Sequence, residues 1–252
     1  PADDGEPIAP PADPVSVAGE VYQLGPHRLI CGDYRHHMRE LSGAGCVVWD
    51  PPWDVAGLDP IAADSVLAFC DGYRLRDVLA SFGADPAWVF VWDCVSSWWT
   101  PNRPLRRAKL CIWYGDLAHY NQEGAFYTPS NPRGPRTVSN PRGSYDYEPH
   151  PEGRRLSDLF ALPITRFHAE SEHSHAKPEE WVRCLVGNTS AGSIADPFAG
   201  SGTSLEVACN LDRPWVGCEI SPAYCDTIRQ RWYRWCVKNE VDPGPDALEC
   251  EA

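Results

Sequence analysis

The sequence predicts a single α/β domain built on a mostly parallel, twisted sheet with helices on both faces. Three observations carry this. Residues 194–208 join a short apolar run to Asp196-Pro197, then to Gly200 and Gly202, then to Leu205, Ala208 and Cys209 at helical spacing, which reads as strand, tight turn, helix. The continuous apolar runs 46–49 and 87–94 have the character of strands buried on both faces. A chain of 252 residues with 43% hydrophobic content and 11 tryptophans buries one substantial core.

Taken in order, residues 1–18 are rich in Pro, Ala and Asp and are expected as a mobile tail. Residues 21–24 and 28–31 flank Gly25-Pro26 as two short strands about a turn, closed by Gly32-Asp33. An Asp at a strand end either caps a turn or, in an open α/β sheet, meets a ligand. The strand at 46–49 stops at Asp50-Pro51-Pro52-Trp53. Residues 65–82 predict a helix, with Val66, Phe69, Cys70, Tyr73, Val78 and Leu79 in an incomplete apolar stripe. The strand 87–94 follows, then Arg103, Arg106, Arg107 and Lys109 on a helical turn or two ahead of an apolar run at 110–114.

Between 115 and 165 periodicity fades. Asn-Pro-Arg-Gly occurs twice, six Arg fall between 133 and 166, and Tyr145 and Tyr147 are interleaved, a composition suited to phosphates and unstacked bases. Order returns at 156–164. A helix is expected over 178–187, with Pro178 at its start, Glu179 and Glu180 in its first turn and Gly187 near its stop. Residues 215–220 read as a strand and 224–237 as the last helix, before an acidic tail at 238–252. The domain therefore spans 19–237 with a small irregular insertion at about 115–165.

The formal charge of −13 excludes a broadly basic surface, so any nucleic-acid contact must gather Arg locally. Arg103, Arg106, Arg107, Arg133, Arg136 and Arg142 are the candidates. No apolar run has membrane-spanning length and no signal-like segment opens the sequence, which suggests a cytoplasmic protein without a membrane partner. The eleven cysteines are odd in number, many lie in apolar runs and none forms Cys-x-x-Cys, so buried reduced thiols are expected rather than disulfides. His168, His173 and His175 lack a cysteine pair at zinc spacing, and no metal is expected.

Two stretches carry chemistry. Glycines in a strand-to-helix turn let backbone approach a ligand, and the first amides of the helix face the same crevice. Glu219 follows about 20 residues later near a strand end, where dinucleotide folds place a carboxylate on ribose hydroxyls. Upstream, two prolines after Asp50 fix φ and make a stiff shelf that holds a carboxylate, a carbonyl and the Trp53 ring together for a planar polar group.

Asp50-Pro51-Pro52-Trp53 after an apolar strand, with Asp196-Pro197-Phe198-Ala199-Gly200-Ser201-Gly202-Thr203 later, resembles the amino-group DNA methyltransferases that use S-adenosylmethionine, in the motif order of their β class. Leu29-Ile30-Cys31-Gly32-Asp33 is similar to that class's motif near the cofactor adenine, and His175-Ala176-Lys177-Pro178 to its His-x-Lys-Pro at the methionine end. The family's DNA adenine enzymes most often carry Tyr where this chain has Trp53; Trp is typical of related RNA and DNA adenine methyltransferases, and stacking on a base is preserved.

The resemblance implies a Rossmann-like methyltransferase fold, with target recognition in the 115–165 interval. Its catalytic residues would be Asp50, Pro51, Pro52 and Trp53. Its cofactor site would comprise Gly32, Asp33, Asp50, His175, Lys177, Pro178, residues 196–203, Glu219 and Ile220. The expected substrate is a base flipped from duplex DNA, most often adenine N6 where Asp precedes Pro-Pro. Cytosine N4, RNA or a modified nucleotide, and a non-catalytic binding subunit are the alternatives. The small recognition interval also leaves room for a homodimer.

Overall fold

The computed structural model describes residues 8–52, 58–71, 74–83, 85–98, 106–115, 126–127, 136–140, 143–147, 154–155, 159–161 and 177–249. The chain opens with β1 (Val21–Leu24) and β2 (His27–Cys31), antiparallel about Gly25-Pro26. Then come α1 (Met38–Leu41), β3 (Ala44–Trp49), β4 (Ala63–Asp71), α2 (Leu75–Phe82), β5 (Trp88–Trp98) and β6 (Arg106–Gly115). Short strands follow: β7 (Phe126–Tyr127), β8 (Arg136–Asn140), β9 (Gly143–Tyr147), β10 (Arg154–Arg155) and β11 (Leu159–Ala161). The last part carries α3 (Glu179–Gly187), β12 (Ile194–Asp196), α4 (Thr203–Asn210), β13 (Trp215–Glu219) and α5 (Pro222–Asn239).

Nine strands form one sheet in the order β1-β2-β13-β12-β3-β4-β6-β5-β11. From β2 to β4 the neighbours run parallel. β6 lies antiparallel between β4 and β5, and β11 adds parallel to β5. Successive residues of each central strand enter opposite cores. Cys46, Val48, Leu67 and Phe69 pack with Trp181, Leu185, Leu205 and Ile228 of α3, α4 and α5. Val47, Trp49, Val66, Ala68 and Cys70 pack with Leu41 of α1 and Val78 of α2 on the other face. Covering both faces explains why these strands read as unbroken apolar runs.

Three expectations need correction. Residues 65–82 are not one helix; β4 occupies the first part, held between β3 and β6, and only Leu75–Phe82 is helical. Val66, Phe69 and Cys70 have helical spacing because a strand buried on both faces places apolar residues everywhere, and Tyr73 lies outside the described residues. Arg106, Arg107 and Lys109 begin β6 rather than a helix. The third concerns the tails, whose described parts are tied to α5. Val15 and Ser16 amides donate to Asp226 at 2.7 and 2.9 Å. Arg229 donates to Ser16 Oγ at 3.0 Å and to the Asp246 carbonyl at 2.6 Å. Asp226 and Arg229 are buried, and buried charges need such partners.

In the insertion, β8 and β9 pair as a hairpin with Asn140 opposite Gly143. No helix among the described residues is long and apolar enough to cross a membrane.

Candidate active site

β12 and β3 are hydrogen-bonded parallel neighbours, and the chain leaves them in opposite directions, from β12 to β13 and from β3 to β4. Such a reversal opens a crevice beyond the strand ends. A cavity of about 470 Å³ lies there, within the roughly 300–1,000 Å³ common for small-molecule sites. Gly32 and Asp33 reach it after β2, Asp50, Pro51 and Pro52 after β3, and Asp196, Pro197, Phe198, Ala199, Gly200, Ser201 and Thr203 after β12. Glu219 and Ile220 line it after β13, and Lys177 ahead of α3.

Aromatic neighbours lock these loops together. Tyr34, Trp49 and Phe198 meet edge-on, with centroids 5.7 Å apart for Tyr34–Trp49, 4.9 Å for Tyr34–Phe198 and 5.0 Å for Trp49–Phe198. Each ring is within two residues of an acid facing the cavity: Asp33, Asp50 or Asp196. One three-ring contact therefore fixes the spacing of three carboxylates.

The glycine turn is held by Glu219, whose Oε2 accepts the Gly200 amide and whose Oε1 accepts the Ser221 amide, both at 2.8 Å. Burial raises this carboxyl, opposed by those amides. Gly200 has φ of +53°, and a Cβ there would meet the Phe198 carbonyl oxygen at an ordinary 3.8 Å. Gly202, with φ of +88°, instead faces Ile228 of α5, whose Cγ1 would lie 3.0 Å from an added Cβ. Close helix packing explains Gly202, which does not line the cavity.

Asp196 is buried. Its Oδ1 accepts the Phe198 amide at 3.0 Å and its Oδ2 the Ser204 hydroxyl; Ser204 in turn accepts the Trp215 indole N–H at 2.9 Å. Burial pushes its carboxyl up to about 7, with Ser204 and Phe198 opposing. Gly217 makes room for that indole, because a Cβ there would fall 2.0 Å from ring atoms of Trp215. Asp33 caps the turn Tyr34–His36 through the Arg35 amide and pairs with the Arg35 guanidinium, which pulls its carboxyl down to about 2. Asp50 accepts a hydrogen bond from the Lys177 ammonium.

Pro178 is the N-cap of α3 and does not line the cavity. Trp53, His175, Arg103, Arg133 and Arg142 lie outside the described residues, as do the side chains of Arg106, Arg107 and Arg136. His168 and His173 also lie outside. Among the described residues no His, Cys, Asp and Glu side chains group as a metal site. The nine cysteines whose side chains are described are free thiols, and burial pushes Cys46 to about 11 and Cys218 to about 12. Sequence reasoning missed Tyr34, Arg35, Phe69, Val182, Ser204 and Tyr224, which also line the cavity. Tyr34 and Arg35 directly follow Gly32-Asp33, so extending that stretch by two residues would have found them.

A family model described as "DNA methylase", of N6/N4 methyltransferase type, matches residues 65–230. The match includes the glycine turn and Glu219 and begins after Asp50. The chain is 33% identical over 84 residues to the type II methyltransferase M.BglII of Bacillus subtilis, covering 32% of this chain and 23% of that protein. It is 30% identical over 93 residues to the type II methyltransferase M.BamHI of Bacillus amyloliquefaciens, covering 35% and 22%. The matched segments thus span less than a quarter of either relative. In fold the chain is similar to the M1.HpyAVI–SAM complex, with TM-score 0.52 and 16% identity over 81% of this chain and 98% of that one. It is likewise similar to the cytosine-N4-specific PvuII DNA methyltransferase, with TM-score 0.55 and 12% identity over 87% and 90%.

Proposed function

The chain belongs to the N6/N4 DNA methylase family, and from that premise we propose that it methylates an exocyclic amino group of a DNA base flipped from the duplex, adenine N6 by preference. The observation that carries this reading is that Asp50-Pro51 and the Gly200 turn, distant in sequence, face one cavity at the ends of adjacent parallel strands.

The cavity suits a cationic nucleoside-like cofactor. Four carboxylates line it (Asp33, Asp50, Asp196 and Glu219) against two cations, Arg35 and Lys177. When bound, S-adenosylmethionine supplies a methyl group on positively charged sulfur. Glu219 would hold the ribose, since its carboxylate lines the cavity while the Gly200 and Ser221 amides fix its two oxygens. Asp33 would face the adenine, and Asp196 with Gly200-Ser201 the methionine portion.

An aromatic amino nitrogen is a poor nucleophile because its lone pair is delocalised, and it is too weak an acid for a carboxylate to deprotonate first. Asp50 and the Pro51 carbonyl each accept one N–H, holding the nitrogen toward tetrahedral geometry and stabilising the positive charge that develops on it. A paired base must leave the stack to be reached, and Trp53 would receive its face. The preference for adenine rests on Asp preceding Pro-Pro, the pairing usual in the family this sequence resembles.

The test is transfer from tritiated S-adenosylmethionine to duplex DNA, single-stranded DNA and RNA in parallel, followed by nucleoside mass spectrometry. N6-methyladenine in duplex DNA is the expected product. N4-methylcytosine would move the target base, and labelling of RNA alone would overturn the DNA assignment.

A further inference from the structure

The Lys177 ammonium pairs with the carboxylate of the Asp50 shelf. Its side chain is only 7% exposed, it lies 5.7 Å from the centroid of the Phe69 ring on β4, and it donates to Asp50 Oδ2 across 127 residues of sequence. An ammonium this buried is costly unless paired, and its contact with the ring face adds a second constraint on where it rests. Lys177 also lines a second, smaller cavity together with Asp50, Pro51 and Phe69, so the pair borders both cavities.

Resting on the reading that Asp50 accepts the target amine, we propose that Lys177 is the positioning residue for that carboxylate, and belongs with the acceptor rather than with the cofactor. It holds Oδ2, which stops rotation of the carboxylate and leaves Oδ1 as the acceptor for the amine N–H. The Pro51 carbonyl is constrained by the Pro52 ring that follows it, which restricts ψ at residue 51, so the carboxylate is the acceptor of the pair that needs an external hold. The buried ammonium also balances the charge of the partly exposed Asp50, so the carboxylate remains an acceptor beside the cavity with its counter-charge fixed in place.

The experiment compares wild type with Lys177→Met and Lys177→Arg. Single-turnover methyl transfer to duplex DNA is measured beside the affinity for S-adenosylhomocysteine by calorimetry. Loss of an oriented acceptor should slow transfer by roughly 100-fold in Lys177→Met. Product affinity should stay within about threefold, and Lys177→Arg should recover at least about tenfold of the lost rate, because it restores a donor cation. A Lys177→Met rate within threefold of wild type overturns the proposal. So does a loss of product affinity as large as the loss of rate, which would return Lys177 to the cofactor.

A second measurement is independent of activity. Thermal unfolding of Lys177→Met, Asp50→Asn and the double variant should show the double variant losing less than the sum of the single losses, as expected when Asp50→Asn strands the buried Lys177 ammonium and the double variant removes it. Additive losses overturn the pairing. An inactive wild type with non-additive unfolding would instead count against the methylation reading while leaving the pair in place.

Discussion

The Phe198 ring meets the Trp49 indole edge-on, centroids 5.0 Å apart, and thereby fastens the loop after β12 to the end of β3. Trp49 is fully buried and immediately precedes Asp50; Phe198 stands two residues before Gly200. The contact transmits the position of one half of the cavity to the other. Phe198→Leu keeps apolar bulk but removes the ring, so affinity for S-adenosylmethionine and rate of transfer should both fall, each by about tenfold, since edge-to-face pairs contribute roughly 0.5–1.5 kcal/mol apiece and Phe198 makes two. Calorimetry and single-turnover kinetics on the same preparation check this. A change confined to one of the two would mean that the loops are set independently.

Asp50→Asn should separate the two quantities. It retains the side chain's outline but loses the charge that faces the developing cation, an effect on the order of 10²–10³-fold in rate. Cofactor affinity should move by less than about threefold. Full activity in this variant would remove Asp50 from the chemistry.

Asp196 makes stability depend on pH. Its folded carboxyl is pushed up to about 7 by burial, against about 4 in an unfolded chain. A carboxyl raised on folding favours the native state fully below about pH 4, and that contribution is lost as pH rises through about 7. Asp196→Asn has no such loss. The melting temperature of the variant minus that of wild type should therefore increase between pH 5 and pH 8, followed by calorimetry. A constant difference across that interval would contradict the burial argument.

His27 acts at the other end of the scale. It is buried at the start of β2, edge-on to Trp232 with centroids 5.2 Å apart, and burial pushes its imidazole down to about 4. An unfolded histidine takes its proton near 6.5, so the native state gives up stability as pH falls from about 6.5 toward 4, by an amount on the order of 3 kcal/mol at about 1.4 kcal/mol per pKa unit. His27→Phe should flatten that acid limb in urea titrations run from pH 7 to pH 4. An unchanged slope would show that other groups dominate it.

Local chemistry made much of this legible in sequence. The glycine turn, the Asp50 shelf and Glu219 stand where strand ends and punctuating residues placed them, because each depends on a few adjacent residues. β4 was not legible, since Val66–Cys70 is apolar on both faces and period 2 disappears when both faces are buried. The same holds for β6, whose opening Arg106-Arg107-Ala108-Lys109 has no alternation and is made a strand by β4 and β5 beside it. The hold of Lys177 on Asp50 and of Asp226 on Ser16 are meetings of distant segments, and nothing at either end announces the other. Gly202 shows the opposite error: a glycine in a ligand-like motif whose freedom serves a neighbouring helix.

The strand order has a consequence for how the protein is made. β12 and β13, which follow every other described strand in the sequence, stand between β2 and β3, which precede most of them. While the chain emerges, the early strands can assemble only as two separate groups bordering a slot two strands wide, with unpaired backbone along both lips. The crevice, and any reaction in it, begins to exist only when the C-terminal pair slides into that slot. A nascent chain therefore carries these unpaired edges until β12 and β13 have left the ribosome.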